Sequence, residues 1–186
     1  MRRLGILMII TVLVGFSSEL GFAGEKAPPK VVDLANSTLV LLGSDEVIIK
    51  AVKAQNAEGK TLEQIKAKDK EWQATAGITD YMKALMDSEC GKHLREIQKS
   101  APYYAEIFVM DNQGANVAMT DKTSDYWQGD EEKFSESYKG GTGAVHVGDV
   151  KFDESTQAYL VQISVPVKDG GKAIGAITIG VDMDKL

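Results

Sequence analysis

The period of the apolar residues changes at Pro102, and that change constrains the fold more than anything else in the chain. From Val31 to about Ser100 there is no proline, few β-branched runs occur, and apolar residues recur at helical spacing. Beyond Pro102 they come in short compact runs separated by turn residues. Helices first and strands afterwards predict an α+β fold. In the first half, Ser44 is placed to cap a helix with Asp45 and Glu46 in its first turn, where carboxylates favour the positive end of the helix dipole. Val47, Ile48, Ala51 and Val52 form its buried stripe, and residues 56–59 end it. Thr61 followed by Gln64 matches a capping box, opening a helix that carries Leu62, Ile65 and Trp72. Shorter helical pieces follow around residues 81–86 and 94–97. In the second half, the run Ile107-Phe108-Val109-Met110 leads into the turn Asp111-Asn112-Gln113-Gly114 and returns over residues 117–120. Residues 129–138 suit a short amphipathic helix on Phe134 and Tyr138. Strands follow at 144–150, 159–167 and 172–181, the last two joined by a hairpin at Lys168-Asp169-Gly170-Gly171. The whole predicts helices packed on a five-stranded antiparallel sheet with one helical insertion.

The amino terminus reads as a cleavable secretory signal over residues 1–23, with Arg2 and Arg3 preceding an apolar run from Leu4 to Phe16 and small residues around Ala23. That run is about 13 residues, short of the roughly 20 that span a bilayer, so an uncleaved anchor is the lesser alternative. Residues 24–30, with Pro28 and Pro29, form a short leader, and 31–186 a single domain. The signal carries a net +1, so its removal takes the chain from −6 to −7. This sign disfavours nucleic acid and anionic membrane surfaces as partners. Export predicts a periplasmic or secreted protein. Cys90, the single cysteine, has no intramolecular partner and suits a buried thiol.

Four pieces in order resemble the extracytoplasmic Cache sensor domains, also called PDC domains, which are PAS-like folds of bacterial chemoreceptors and sensor kinases. They are Ile107 to Gly114, then Ser124-Asp125-Tyr126-Trp127-Gln128-Gly129-Asp130, then Val165-Pro166-Val167-Lys168-Asp169-Gly170-Gly171-Lys172-Ala173-Ile174-Gly175, and Ile179-Gly180-Val181-Asp182. The resemblance implies long amino-terminal helices on one face of the sheet and a small-ligand pocket on the other. It also implies a sensing role in which occupancy passes to a partner such as a membrane sensor kinase or chemoreceptor. The family's amino-acid binders carry an arginine just before the aromatic pair, where its guanidinium holds the ligand carboxylate. Here Asp125 stands nearby instead, which favours an amine or another small metabolite.

Tyr126 and Trp127 suit either a pocket wall or the packing of a crossing loop. By family position, Asp182 faces a ligand amine, or it is a solvated carboxylate at the sheet's end. Strand alternation puts His146 opposite Val145 and Val147; it is either a pocket member or a structural histidine, and Tyr138 and Tyr159 are similar cases. His93 reads as a surface residue. The acidic group Asp130, Glu131, Glu132 and Glu136 reads as a solvated helix face, lacking the spacing of a calcium loop. No cofactor, metal site or catalytic constellation is expected. The alternative to a sensor is a non-catalytic interaction domain whose pocket is filled by its own side chains.

Overall fold

The computed structural model describes residues 24–154 and 156–186. The signal expected over residues 1–23 lies outside the described residues. The first half folds as α1 (Pro29–Ser37), a 3-10 turn (Leu39–Ser44), α2 (Glu46–Ala57), α3 (Leu62–Ala74), α4 (Asp80–Asp87) and α5 (Glu89–Lys99). The second half holds β1 (Tyr104–Met110), β2 (Asn116–Met119), α6 (Glu132–Tyr138), β3 (His146–Asp153), β4 (Ala158–Asp169) and β5 (Lys172–Asp182). The sheet has the order β2-β1-β5-β4-β3 and every neighbouring pair is antiparallel. The α+β architecture expected from the sequence is therefore present, with helices shorter than anticipated: α3, the longest among the described residues, has 13 residues.

Local chemistry explains most boundaries. Thr61 and Gln64 form the expected capping box, each side chain accepting from the other's backbone N–H. The cap of α2 falls one residue later than expected. Ser44 is consumed by the 3-10 turn, and the Asp45 carboxylate accepts from the N–H groups of Val47 and Ile48 at 2.9 and 3.1 Å. The β4–β5 hairpin closes through Gly170 and Gly171 at φ 57° and 85°, the left-handed pair that a two-residue turn requires.

The leader is partly built into the fold, which departs from the expected boundary at residue 31. Glu25 pairs with Val150 on the outer edge of β3, and Pro29 opens α1, where its missing N–H leaves no helix bond unmade.

The core divides about the sheet. On one face Ile107, Val109, Ile163, Val165, Ile177 and Ile179 pack against Val31, Leu39, Ile48, Val52 and Leu94 of the helical layer. On the other, Phe108, Met110 and Ala176 join Ile65 and Trp72 of α3, Met82 of α4, Tyr126 and Phe134. Period-two alternation sends neighbouring residues of β1 to opposite clusters. The α6 face of β4 and β5 also carries a polar set, including Gln162, Ser164 and Thr178. Ser164 and Thr178 hydroxyls bond each other at 2.8 Å.

Candidate ligand-binding site

The segment between β2 and α6 crosses the second face as a strap held by buried polar groups. Asp69 of α3 accepts from the backbone N–H groups of Tyr126 and Trp127 through one oxygen, at 2.8 and 3.0 Å, and from Gln73 through the other. Asn116 donates to Thr123 Oγ1 and to the Asp125 carbonyl, and Gln128 donates to that carbonyl at 2.8 Å. The indole of Trp127 donates to the Gln113 carbonyl at 2.8 Å, with Gly129 packed so closely that a Cβ there would lie 2.4 Å from Nε1. The strap is thus a pinned wall, tied to α3, to Asn116 of β2 and to the β1–β2 turn, although the Gln128 Oε1 and Asn116 Oδ1 atoms are buried without a partner.

Two clefts flank it. The larger, about 700 Å³, lies between the strap with the start of α6 on one side and β3 with β4 on the other. Its walls include Asp130, Glu131, Lys133, His146, Asp153 and Gln162. Lys133 pairs with Glu131 at 3.0 Å and stands 5.4 Å from the Phe108 ring centre. The smaller, about 490 Å³, opens toward α3 and includes Lys66, Asp69, Asp125 and Trp127, with Lys66 4.2 Å from the Trp127 ring centre. Asp130 and Glu131 border both clefts. Among the described residues no group of three or more histidine, cysteine, aspartate or glutamate side chains is placed to hold a metal ion.

The residues singled out from the sequence are not brought to one place. His146 lines the larger cleft, which Val147 also borders, while Val145 and Val147 pack against the cluster on the other face. Asp125 and Trp127 line the smaller one. Tyr126 is buried in the core, its hydroxyl 3.0 Å from that of Tyr81 and its ring against Trp72; burial and this hydrogen bond push its ionisation up. Tyr138 stacks on Phe134 with ring centres 5.2 Å apart. Asp182 is buried, accepting from the Asp184 N–H and pairing with Lys185 at 2.7 Å, so its carboxylate organises the carboxy-terminal turn. His93, read as a surface residue, is instead half-buried and bonds Asp45 at 2.9 Å, tying α5 to the start of α2.

Sequence reasoning missed Asp69, Lys133, Gln162 and Glu106. Only Glu106 carries a signal: it is a lone carboxylate within the apolar run of β1, and the structure buries it beside Gln162, which donates to Oε1 at 2.9 Å. Burial pushes its carboxyl up, the Gln162 hydrogen bond opposes this, and Asp153 adds to the rise.

No protein-family model matches the chain, and no curated protein does either. Among solved structures the chain is similar to sensor domains. One is that of the V. cholerae histidine kinase DctB, at 14% identity and a TM-score of 0.48 over 84% of this chain and 51% of that one. Another is that of the Campylobacter jejuni chemoreceptor Tlp3 with isoleucine bound, at 15% identity and a TM-score of 0.42 over 84% of this chain and 64% of that one. The chain thus spans less than two thirds of either domain.

Proposed function

We propose that this chain is an extracytoplasmic sensing domain that binds a small polar ligand in the larger cleft and relays occupancy to a partner protein. The observation that carries the reading is the cleft itself. Its volume of about 700 Å³ falls in the range of small-molecule sites, roughly 300–1,000 Å³, and polar side chains converge on it from three elements. His146 and Gln162 stand on β3 and β4, while Lys133 stands on α6, so a ligand there touches both the sheet and its cover. Asp125 and Trp127 belong to the strap that separates the two clefts, and they act by shaping the wall. A ligand shifts the strap against the sheet only by binding two arrangements with different affinity. The partner has the character of a membrane sensor kinase or chemoreceptor, and export follows from the amino-terminal signal. Among the described residues no helix is long and apolar enough to cross a membrane.

The test is a thermal-shift screen of the chain against amines, amino acids, carboxylates, purines and divalent cations. A ligand at 100 times its dissociation constant adds about 2.7 kcal/mol, a shift of several degrees. A hit abolished by His146→Trp supports the reading. A flat response favours the second reading, a non-catalytic interaction domain, which draws on the close packing around Tyr126.

A further inference from the structure

Glu106 sits on β1 with its side chain on the α6 face, behind the Gln162 side chain that forms part of the larger cleft's wall. Two departures from a regular sheet accommodate it. The β1–β5 register slips between Tyr104 and Glu106, a bulge of the kind that re-aims a side chain. Opposite Glu106 stands Gly180, where a Cβ would come within 2.6 Å of Glu106 Cγ. Oε1 accepts from Gln162, and Oε2 has no hydrogen-bond partner among the described residues. The charged groups facing it come from separate elements: Lys133 of α6, Asp153 at the end of β3 and Asp121 after β2. Lys133 is engaged with Glu131. Glu106 does not itself line the cleft, but Oε2 is not among the enclosed polar atoms that lack a partner, so it keeps some exposure, while burial of the rest of the side chain disfavours the bare carboxylate.

Resting on the cleft reading above, we propose that Glu106 is the recognition carboxyl of the larger cleft, and that the ligand it reads carries a primary ammonium or guanidinium group. The cation enters beside Gln162 and pairs with Glu106. A longer ligand extends toward Asp130 and Glu131 at the cleft's outer wall, which suits a diamine or a guanidino-amine. Binding is linked to a proton. Burial keeps the free carboxyl in its acid form above the ordinary carboxylate range. The ligand cation pairs with the carboxylate, so the proton leaves to solvent as the pair forms. Affinity therefore rises as pH rises through that raised range, and levels off above it.

The experiment is calorimetric titration of the full chain with putrescine and agmatine, and with the uncharged and anionic controls 1,4-butanediol and succinate, between about pH 5 and 8.5. Repeating each titration in buffers of different ionisation enthalpy counts the protons released. The expected result is binding of at least one amine that tightens as pH rises, with proton release, and that weakens about tenfold or more in Glu106→Gln. Gln162→Trp, or His146→Trp if the first does not fold, removes the binding by filling the cleft. Amine binding that is flat with pH, or unchanged in Glu106→Gln, overturns the proposal. Succinate or butanediol binding that the filled variants abolish, with no amine bound, overturns the role of Glu106 and leaves the cleft standing. No probe bound overturns the proposal for Glu106 and leaves the cleft reading to the wider screen, whereas binding that the filled variants leave intact sinks both.

Discussion

Asp69 shows how much of the candidate site depends on a side chain that looks ordinary in the sequence. It lies on a helix otherwise rich in charge, yet its carboxylate is buried and terminates the backbone donors of Tyr126 and Trp127. Removing it strands one buried and one half-buried N–H group, so Asp69→Ala is expected to cost about 1–3 kcal/mol in denaturant unfolding. Asp69→Asn keeps one acceptor and is expected to cost less than half as much. Equal losses would mean that the strap does not depend on those two bonds. Cys90 makes the opposite case, a reactive residue type silenced by its surroundings. Burial first, with the charges of Asp45 and Glu89 adding, pushes its thiol up to about 12. A disulfide reagent at pH 8 is therefore expected to label it only after unfolding by denaturant.

The start of α2 joins a cap, the Asp45–His93 hydrogen bond and the packing of α5. Burial opposes ionisation of Asp45, but the His93 hydrogen bond and the two helix donors outweigh it and hold the carboxyl below its usual range. A lowered folded value contributes stability above the unfolded value, about 3.9, and loses it as pH falls through the folded value. Asp45→Asn keeps a side-chain acceptor without the charge, so the stability gap between the two proteins is expected to close as pH falls below about 4. A gap independent of pH would assign the effect to shape alone. Gly43 lies one turn earlier, where a Cβ would come within 2.3 Å of the Pro166 carbonyl oxygen. Gly43→Ala is expected to cost about 1–3 kcal/mol by lifting the 3-10 turn off β4. An alanine at Gly77, with no atom within 4 Å of its Cβ, provides the neutral comparison.

For the molecule as a whole, the sheet separates two tasks. The face packed on α1, α2 and α5 is apolar throughout the centre of β1, β4 and β5, while the α6 face mixes Phe108 and Met110 with Glu106, Gln162, Ser164 and Thr178. A folded carboxyl value raised by burial gives stability that is complete below the unfolded value and is lost as pH rises through the folded one. Glu106→Gln is thus expected to leave the melting temperature unchanged near pH 4 and to raise it increasingly toward neutral pH. A destabilised variant at neutral pH would show that the carboxylate is structurally required.

The order of elements was legible because it rests on neighbouring residues: Thr61 with Gln64, the Gly170-Gly171 turn, and alternation along β3 that put His146 opposite Val147. Such preferences act within one turn or one hairpin, so composition and spacing carry them. The site was legible only in part. The strap containing Asp125, Tyr126 and Trp127 was found, but whether each side chain faces a cleft or the core depends on α3 and α4, more than 40 residues away in the chain. Asp182 read either as a carboxylate facing a ligand amine or as a solvated one at the sheet's end, and the fold instead pairs it with Lys185 in the carboxy-terminal turn. Glu106 became significant only when β5 placed Gly180 against it and β4 supplied Gln162. Local sequence determined which segments are helix and strand; the assembly of distant segments decided which carboxylates are buried, because burial and partnering are properties of the packed whole.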